Sequence, residues 1–135
     1  MATPFLLVEG ADSLRMVYCD ILERAGNNVR PAATLAEGLS AYHYNPPGVV
    51  ILDGLLKGPA HAATLRDFQV SSPGTKILLT VPQTVLRHSP ESLTGDMFDI
   101  LVKPFDELRL LTAVADAHTE ILRARLAKSS ETTSR

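Results

Sequence analysis

Glu9, Asp53, Thr80 and Lys103 each close a short apolar run in a chain of 135 residues. Gathered in one crevice, two carboxylates, a hydroxyl and an ammonium are equipment for handling a phosphoryl group. A carboxylate can accept it as a nucleophile, and the ammonium and hydroxyl can bind and neutralise its oxygens. The four residues are far apart in the chain. They meet only if their apolar runs are neighbouring strands of one parallel sheet.

Phe5-Leu6-Leu7-Val8 is continuous and apolar, as expected of a strand covered on both faces. Asp12 or Ser13 can cap a following helix that carries Leu14, Val17, Tyr18, Ile21 and Leu22 at helical spacing, with Gly26 as its stop. A weaker strand around Val29 precedes Thr34-Leu35-Ala36-Glu37, a capping box that opens a second helix reaching about His43. Gly48 to Leu52 is the clearest strand, and Asp53 closes it. After a loop through Gly58-Pro59, a third helix carries Ala63, Leu65, Phe68 and Val70. Lys76 to Thr80 and Ile100 to Lys103 are the last two strands. Between them Pro82, Pro90 and Gly95 allow only a short or distorted helix.

From Asp106 a long helix presents two adjoining apolar rows, Leu110, Val114, Ala117 and Ile121 beside Leu111, Ala115 and Leu122. Five strands alternating with helices predict an α/β fold, a doubly wound parallel sheet in the order 2-1-3-4-5 with helices on both faces. One domain over residues 4–127 is expected, with a disordered polar tail at 128–135.

Thirteen basic residues against fifteen acidic ones give a net charge of -2, with no basic footprint for nucleic acid or a membrane surface. No apolar run approaches the roughly 20 residues that span a bilayer, and the N-terminus lacks a signal-like pattern. Cys19 is the sole cysteine, so a cytoplasmic protein without disulfides is expected. His43, His61, His88 and His118 are isolated from one another, without the spacing of a zinc site. Cys19 reads as packing rather than redox chemistry.

Leu6-Leu7-Val8-Glu9, Val50-Ile51-Leu52-Asp53, Ile77-Leu78-Leu79-Thr80 and Leu101-Val102-Lys103-Pro104-Phe105 resemble, in order and spacing, the motifs of response-regulator receiver domains. Ile21 to Gly26 is similar to that family's first-helix ending, and the resemblance covers residues 4–127. It implies a flavodoxin-like fold, with Asp53 as phosphoacceptor for a histidine kinase or phosphotransfer protein. It also implies Thr80 and Lys103 as partners of the phosphoryl group. Mg²⁺ is implied at Glu9, Asp53 and the Leu55 carbonyl, and a cis peptide before Pro104.

The sequence departs from the pattern in three places. Gly10 replaces the second acid of the pair after the first strand, which weakens the expected Mg²⁺ site. Lys57 replaces a common proline, and Ile100 replaces the switch aromatic.

The resulting expectation is a single-domain receiver, not an enzyme, that signals through a downstream protein partner. A second copy of the chain is one candidate for a contact at Leu122 and Leu126. The alternative is a pseudo-receiver, the same fold used as an interaction module without phosphorylation. A flavodoxin-like enzyme or ligand binder ranks third, because no glycine-rich phosphate loop follows the first strand.

Overall fold

The computed structural model describes residues 4–40, 42, 46–54, 59–88 and 97–133. Among these, five strands form one wholly parallel sheet: β1 (Pro4–Val8), β2 (Asn28–Ala32), β3 (Val49–Asp53), β4 (Lys76–Pro82) and β5 (Asp99–Lys103). Their order is β2-β1-β3-β4-β5, as the alternating pattern predicts. The helices are α1 (Asp12–Arg24), α2 (Leu35–Ser40), α3 (Pro59–Ser71), α4 (Gln83–His88) and α5 (Glu107–Thr133).

β1, β3 and β4 are apolar along most of their length because both faces are covered, whereas the edge strand β2 is polar and largely exposed. Side chains alternate across the sheet, so each strand feeds two cores. Phe5, Leu7, Ile51, Leu78 and Leu101 meet Tyr18 and Leu22 of α1 and Leu110, Val114, Ala117 and Ile121 of α5. Leu6, Val8, Val50, Leu52, Ile77 and Leu79 meet Leu35 of α2 and Phe68 of α3.

Several boundaries differ from the sequence expectation. Asp12 is the first residue of α1 rather than its cap; Ala11 is the cap residue and makes no side-chain cap bond. Val17 is exposed, because the helix turns Leu14, Tyr18, Ile21 and Leu22 toward the sheet instead. Val70 is likewise exposed on α3. Thr34 does cap α2, accepting from the Glu37 N–H at 3.2 Å, but the helix ends at Ser40; His43 lies outside the described residues. β4 runs on through Pro82 directly into α4, since a proline without an N–H is tolerated at a strand end. β5 begins one residue early at Asp99, whose carboxylate takes both arms of Arg109 at 3.0 and 3.1 Å and ties the strand to α5.

Only one of the two apolar rows of α5 is fully buried, although Leu111 of the other packs partly against the same core. Leu110, Ala113, Val114, Ala117 and Ile121 face the sheet, whereas Leu122 and Leu126 are exposed. The helix continues through Thr133, so the stretch from residue 128 expected to be disordered is helical as far as it is described. Good helix formers from Ala124 to Lys128 carry it outward. No helix among the described residues is long and apolar enough to cross a membrane.

Candidate functional site

Glu9, Asp53, Thr80 and Lys103 share one face of the sheet for a reason built into the pleat. Each lies two residues beyond a core residue that points toward α1 and α5: Leu7, Ile51, Leu78 and Leu101. All four therefore emerge on that face at the carboxyl ends of their strands, where ligands of open α/β sheets bind. Asp53 is paired in register with Thr80, and Thr80 with Leu101. Lys103 stands two residues further along β5 and reaches back through its four-carbon stem.

The buried polar residues of the described structure are these three: Glu9 at 2 % exposure, Asp53 at 3 % and Thr80 at 1 %. Buried charges need partners, and Lys103 supplies one to both carboxylates. Its Nζ donates to Glu9 Oε1 at 2.8 Å and to Asp53 Oδ1 at 3.4 Å. Backbone amides take the remaining oxygens. Ala11 N–H donates to Glu9 Oε2 at 3.0 Å, and Gly10 N–H to Asp53 Oδ2 at 3.2 Å. Burial alone would depress Lys103, but its bond to Glu9 and the attraction of Asp53 outweigh that and hold its ammonium above the ordinary lysine value. Thr80 differs from the carboxylates: its Oγ1 is buried with no hydrogen-bond partner among the described residues.

The structure thus brings Glu9, Asp53 and Lys103 into direct contact and sets Thr80 beside Asp53. Leu55 and Lys57 lie outside the described residues. The Lys103-Pro104 peptide is cis. Asp12 is exposed and pairs with Arg15. Ile100, like Met97 and Val102, packs against the opposite core and places no aromatic ring at its own position. Cys19 donates to Glu23 at 3.4 Å, and burial together with that bond pushes its thiol up to about 11, which suits packing rather than redox chemistry.

Two contributors escaped the sequence reading. Arg15 Nη1 donates to the Glu9 backbone oxygen at 2.8 Å. A basic residue so early in a helix opposes the macrodipole, and that anomaly was the available signal. Tyr18 stacks on Phe105, with ring centroids 5.0 Å apart, and so packs α1 against the segment that follows Lys103. Its hydroxyl is pushed above the ordinary tyrosine value, chiefly by burial.

The donors for a metal ion are few. Among the described residues no group of three or more His, Cys, Asp or Glu side chains could hold one. Both Glu9 oxygens are already engaged, and Gly10 offers no side chain.

Gly54, directly after Asp53, is fixed by close approach. Its N–H donates to the Thr80 carbonyl at 2.7 Å, and a Cβ there would stand 2.7 Å from Val81 Cγ1 and 2.8 Å from the Thr80 oxygen. Backbone cannot yield as a flexible side chain does. Gly54→Ala is therefore expected to cost about 1–3 kcal/mol, read by denaturant unfolding. An unchanged midpoint would show that β3 and β4 separate more easily than their spacing implies.

Comparison with known proteins follows the same outline. The profile of the response regulator receiver domain matches residues 5–115. Over 116 residues the chain is 29% identical to Protein CcdB of Bacillus subtilis (strain 168), covering 84% of this chain and 95% of that one. Over 115 residues it is 25% identical to the chemotaxis protein CheY of Thermotoga maritima, covering 84% and 96%. Among solved structures, NtrX from Brucella abortus in complex with ADP superimposes with a TM-score of 0.82 at 22% identity. That match covers 95% of this chain, which spans only 30% of the NtrX chain. The fold, the order of the strand-end residues and the matched profile agree: this chain belongs to the response regulator receiver domain family.

Proposed function

We propose that this receiver accepts a phosphoryl group on Asp53 from a phosphohistidine donor, a histidine kinase or phosphotransfer protein, and signals by binding a protein partner. Receiver domains are signalling modules of two-component systems rather than enzymes in their own right. The observation that carries the reading is Thr80: a buried hydroxyl without a partner, paired in register with a carboxylate that already holds an ammonium. An unsatisfied buried polar group costs about 1–3 kcal/mol, and a phosphoryl oxygen on Asp53 would satisfy it.

In the transfer, an Asp53 oxygen forms the new O–P bond as the donor's N–P bond breaks, and the departing imidazole takes its proton from solvent. Little covalent chemistry is asked of the protein; positioning and charge neutralisation do most of it. Lys103 is the fixed cation beside the acceptor. Gly10 N–H holds one Asp53 oxygen in place, and Thr80 donates to the phosphoryl group once it has arrived. With Ile100 in place of an aromatic ring, the movement of Thr80 is not reported by a ring flip.

Receivers as a family hold Mg²⁺ in their acidic pocket. The described donors here do not fit a tightly held ion, so we propose weak binding through Asp53 and Glu9. The same shortage supports a second reading, a pseudo-receiver that binds partners without being phosphorylated. In either case Leu122 and Leu126 on α5 are exposed and apolar, available to a protein partner or to a second copy of the chain. We place the protein in the cytoplasm, where kinase domains and their phosphodonors act.

Intact mass spectrometry after incubation with a small acyl phosphate and Mg²⁺ separates the two readings. The expected result is one phosphoryl adduct, absent from Asp53→Ala. An unmodified wild-type protein across all donor and metal concentrations would establish the pseudo-receiver instead.

A further inference from the structure

We infer that Arg15 is a positioning residue for the acceptor: its guanidinium holds the Glu9–Gly10 peptide in the orientation that aims an N–H at Asp53. The inference rests on the reading of Asp53 as acceptor and adds a residue that does not touch it. A trans peptide points its C=O and N–H in opposite directions. Here the two ends of one peptide are both engaged. The Glu9 oxygen accepts from Arg15 Nη1 at 2.8 Å, while the Gly10 N–H donates to Asp53 Oδ2 at 3.2 Å. Arg15 and Asp53 therefore lie on opposite sides of that peptide, and the guanidinium acts on the carboxylate only through it.

Glycine makes this hold necessary. Gly10 is exposed, and the peptide before it can rotate more freely than it could before a residue with a Cβ. A rotated peptide would withdraw the N–H from Asp53 and turn a carbonyl dipole toward two buried carboxylates. A charge-assisted bond to the Glu9 oxygen opposes that rotation. Arg15 is well placed to make it, being three-quarters buried along its side chain and steadied on its other arm by Asp12. Where a second acid is missing, a backbone amide serves the acceptor, and Arg15 fixes the amide.

Two measurements on the full chain test this. The first is hydrogen exchange of the Gly10 amide in unphosphorylated protein at constant pH. Arg15→Ala is expected to lower its protection about tenfold, the loss of one charge-assisted hydrogen bond, whereas Arg15→Lys retains most of it. Protection of the Leu7 and Ile51 amides, in the adjoining strands, is expected to stay unchanged. The second is the rate of Asp53 phosphorylation by a small acyl phosphate, also expected to fall about tenfold in Arg15→Ala and to recover in Arg15→Lys. In a Gly10→Ala background, where the peptide is stiffer, the Arg15→Ala effect on both should shrink to about twofold. Gly10 lacks the positive φ that would make alanine strained. Unchanged Gly10 protection in Arg15→Ala, or an equal loss at Leu7 and Ile51, overturns the inference. Lost protection with an unaltered phosphorylation rate overturns it as well, because the amide then does not serve the acceptor. No adduct on the wild type refutes the acceptor reading itself, while the exchange measurement still decides whether Arg15 fixes the peptide.

Discussion

Lys103→Met is expected to destabilise the protein by about 3 kcal/mol. It is also expected to slow phosphoryl transfer to Asp53 by at least about a hundredfold, the usual effect of losing a positioned charge donor. The ammonium is paired with both the Glu9 and the Asp53 carboxylate. Side-chain exposures of 14% for Lys103, 2% for Glu9 and 4% for Asp53 mean that solvent cannot take its place. Methionine preserves the length and packing of the stem but leaves two buried carboxylates facing one another. Removing one partner of a buried pair costs far more than the pair contributes, because an uncompensated charge stays behind.

The pH dependence follows from the direction of the Lys103 shift. A folded-state value raised above the unfolded one contributes stability in full below the ordinary lysine range, and loses it as pH rises through the raised value. The gap between wild type and Lys103→Met should therefore stay flat across neutral pH and narrow in the alkaline range. Adding Glu9→Gln to Lys103→Met removes one of the stranded charges and should recover a substantial part of the loss, a coupling that a double-mutant cycle measures directly. Equal unfolding midpoints for wild type and Lys103→Met would show that the two carboxylates do not depend on the ammonium.

Gly10→Asp is expected to tighten Mg²⁺ binding by at least about tenfold, since a third carboxylate adds charge and a donor to a site that has few. Without metal the same substitution should be destabilising. Formal charges of the present cluster are two negative and one positive, from Glu9, Asp53 and Lys103. A further negative charge would repel both carboxylates. Thermal unfolding with and without Mg²⁺ reads both effects. The variant should melt below wild type in chelator and gain more than wild type as Mg²⁺ is added, because a ligand that binds only the folded state stabilises it by mass action. Equal Mg²⁺ affinity in the two proteins would mean that the missing acid matters less than its position suggests.

The juxtaposition of these residues was legible in the sequence because of where they fall. Glu9, Asp53, Thr80 and Lys103 each terminate a run of core side chains. In a parallel sheet, strand ends of one polarity lie along one edge. Alternation then puts all four on the same face, since each is an even step from a core residue. Arg15 was not legible in this way, because its role depends on which way one peptide faces, a property that side-chain spacing does not encode.

The helices mark the boundary between what sequence and tertiary structure decide. Their amphipathic rows are broad enough to be rotated by a residue without changing the pattern. On α1, Val17 and Tyr18 are equally apolar neighbours, and only packing against the sheet buried Tyr18 and left Val17 exposed. On α5 two adjoining rows competed, and the sheet had room for the one containing Leu110, Val114, Ala117 and Ile121. By itself, the sequence determined five strands alternating with helices, because continuous apolar runs that end on polar residues leave few arrangements open, and the order and spacing of four strand-end motifs pointed to the family. Only the tertiary structure decided how Lys103 is shared between Glu9 and Asp53, that Thr80 is left without a partner, and that Arg15 reaches the peptide before Gly10. Those are matters of distances of about 3 Å, the scale at which hydrogen bonds form, and they are set by how whole elements pack.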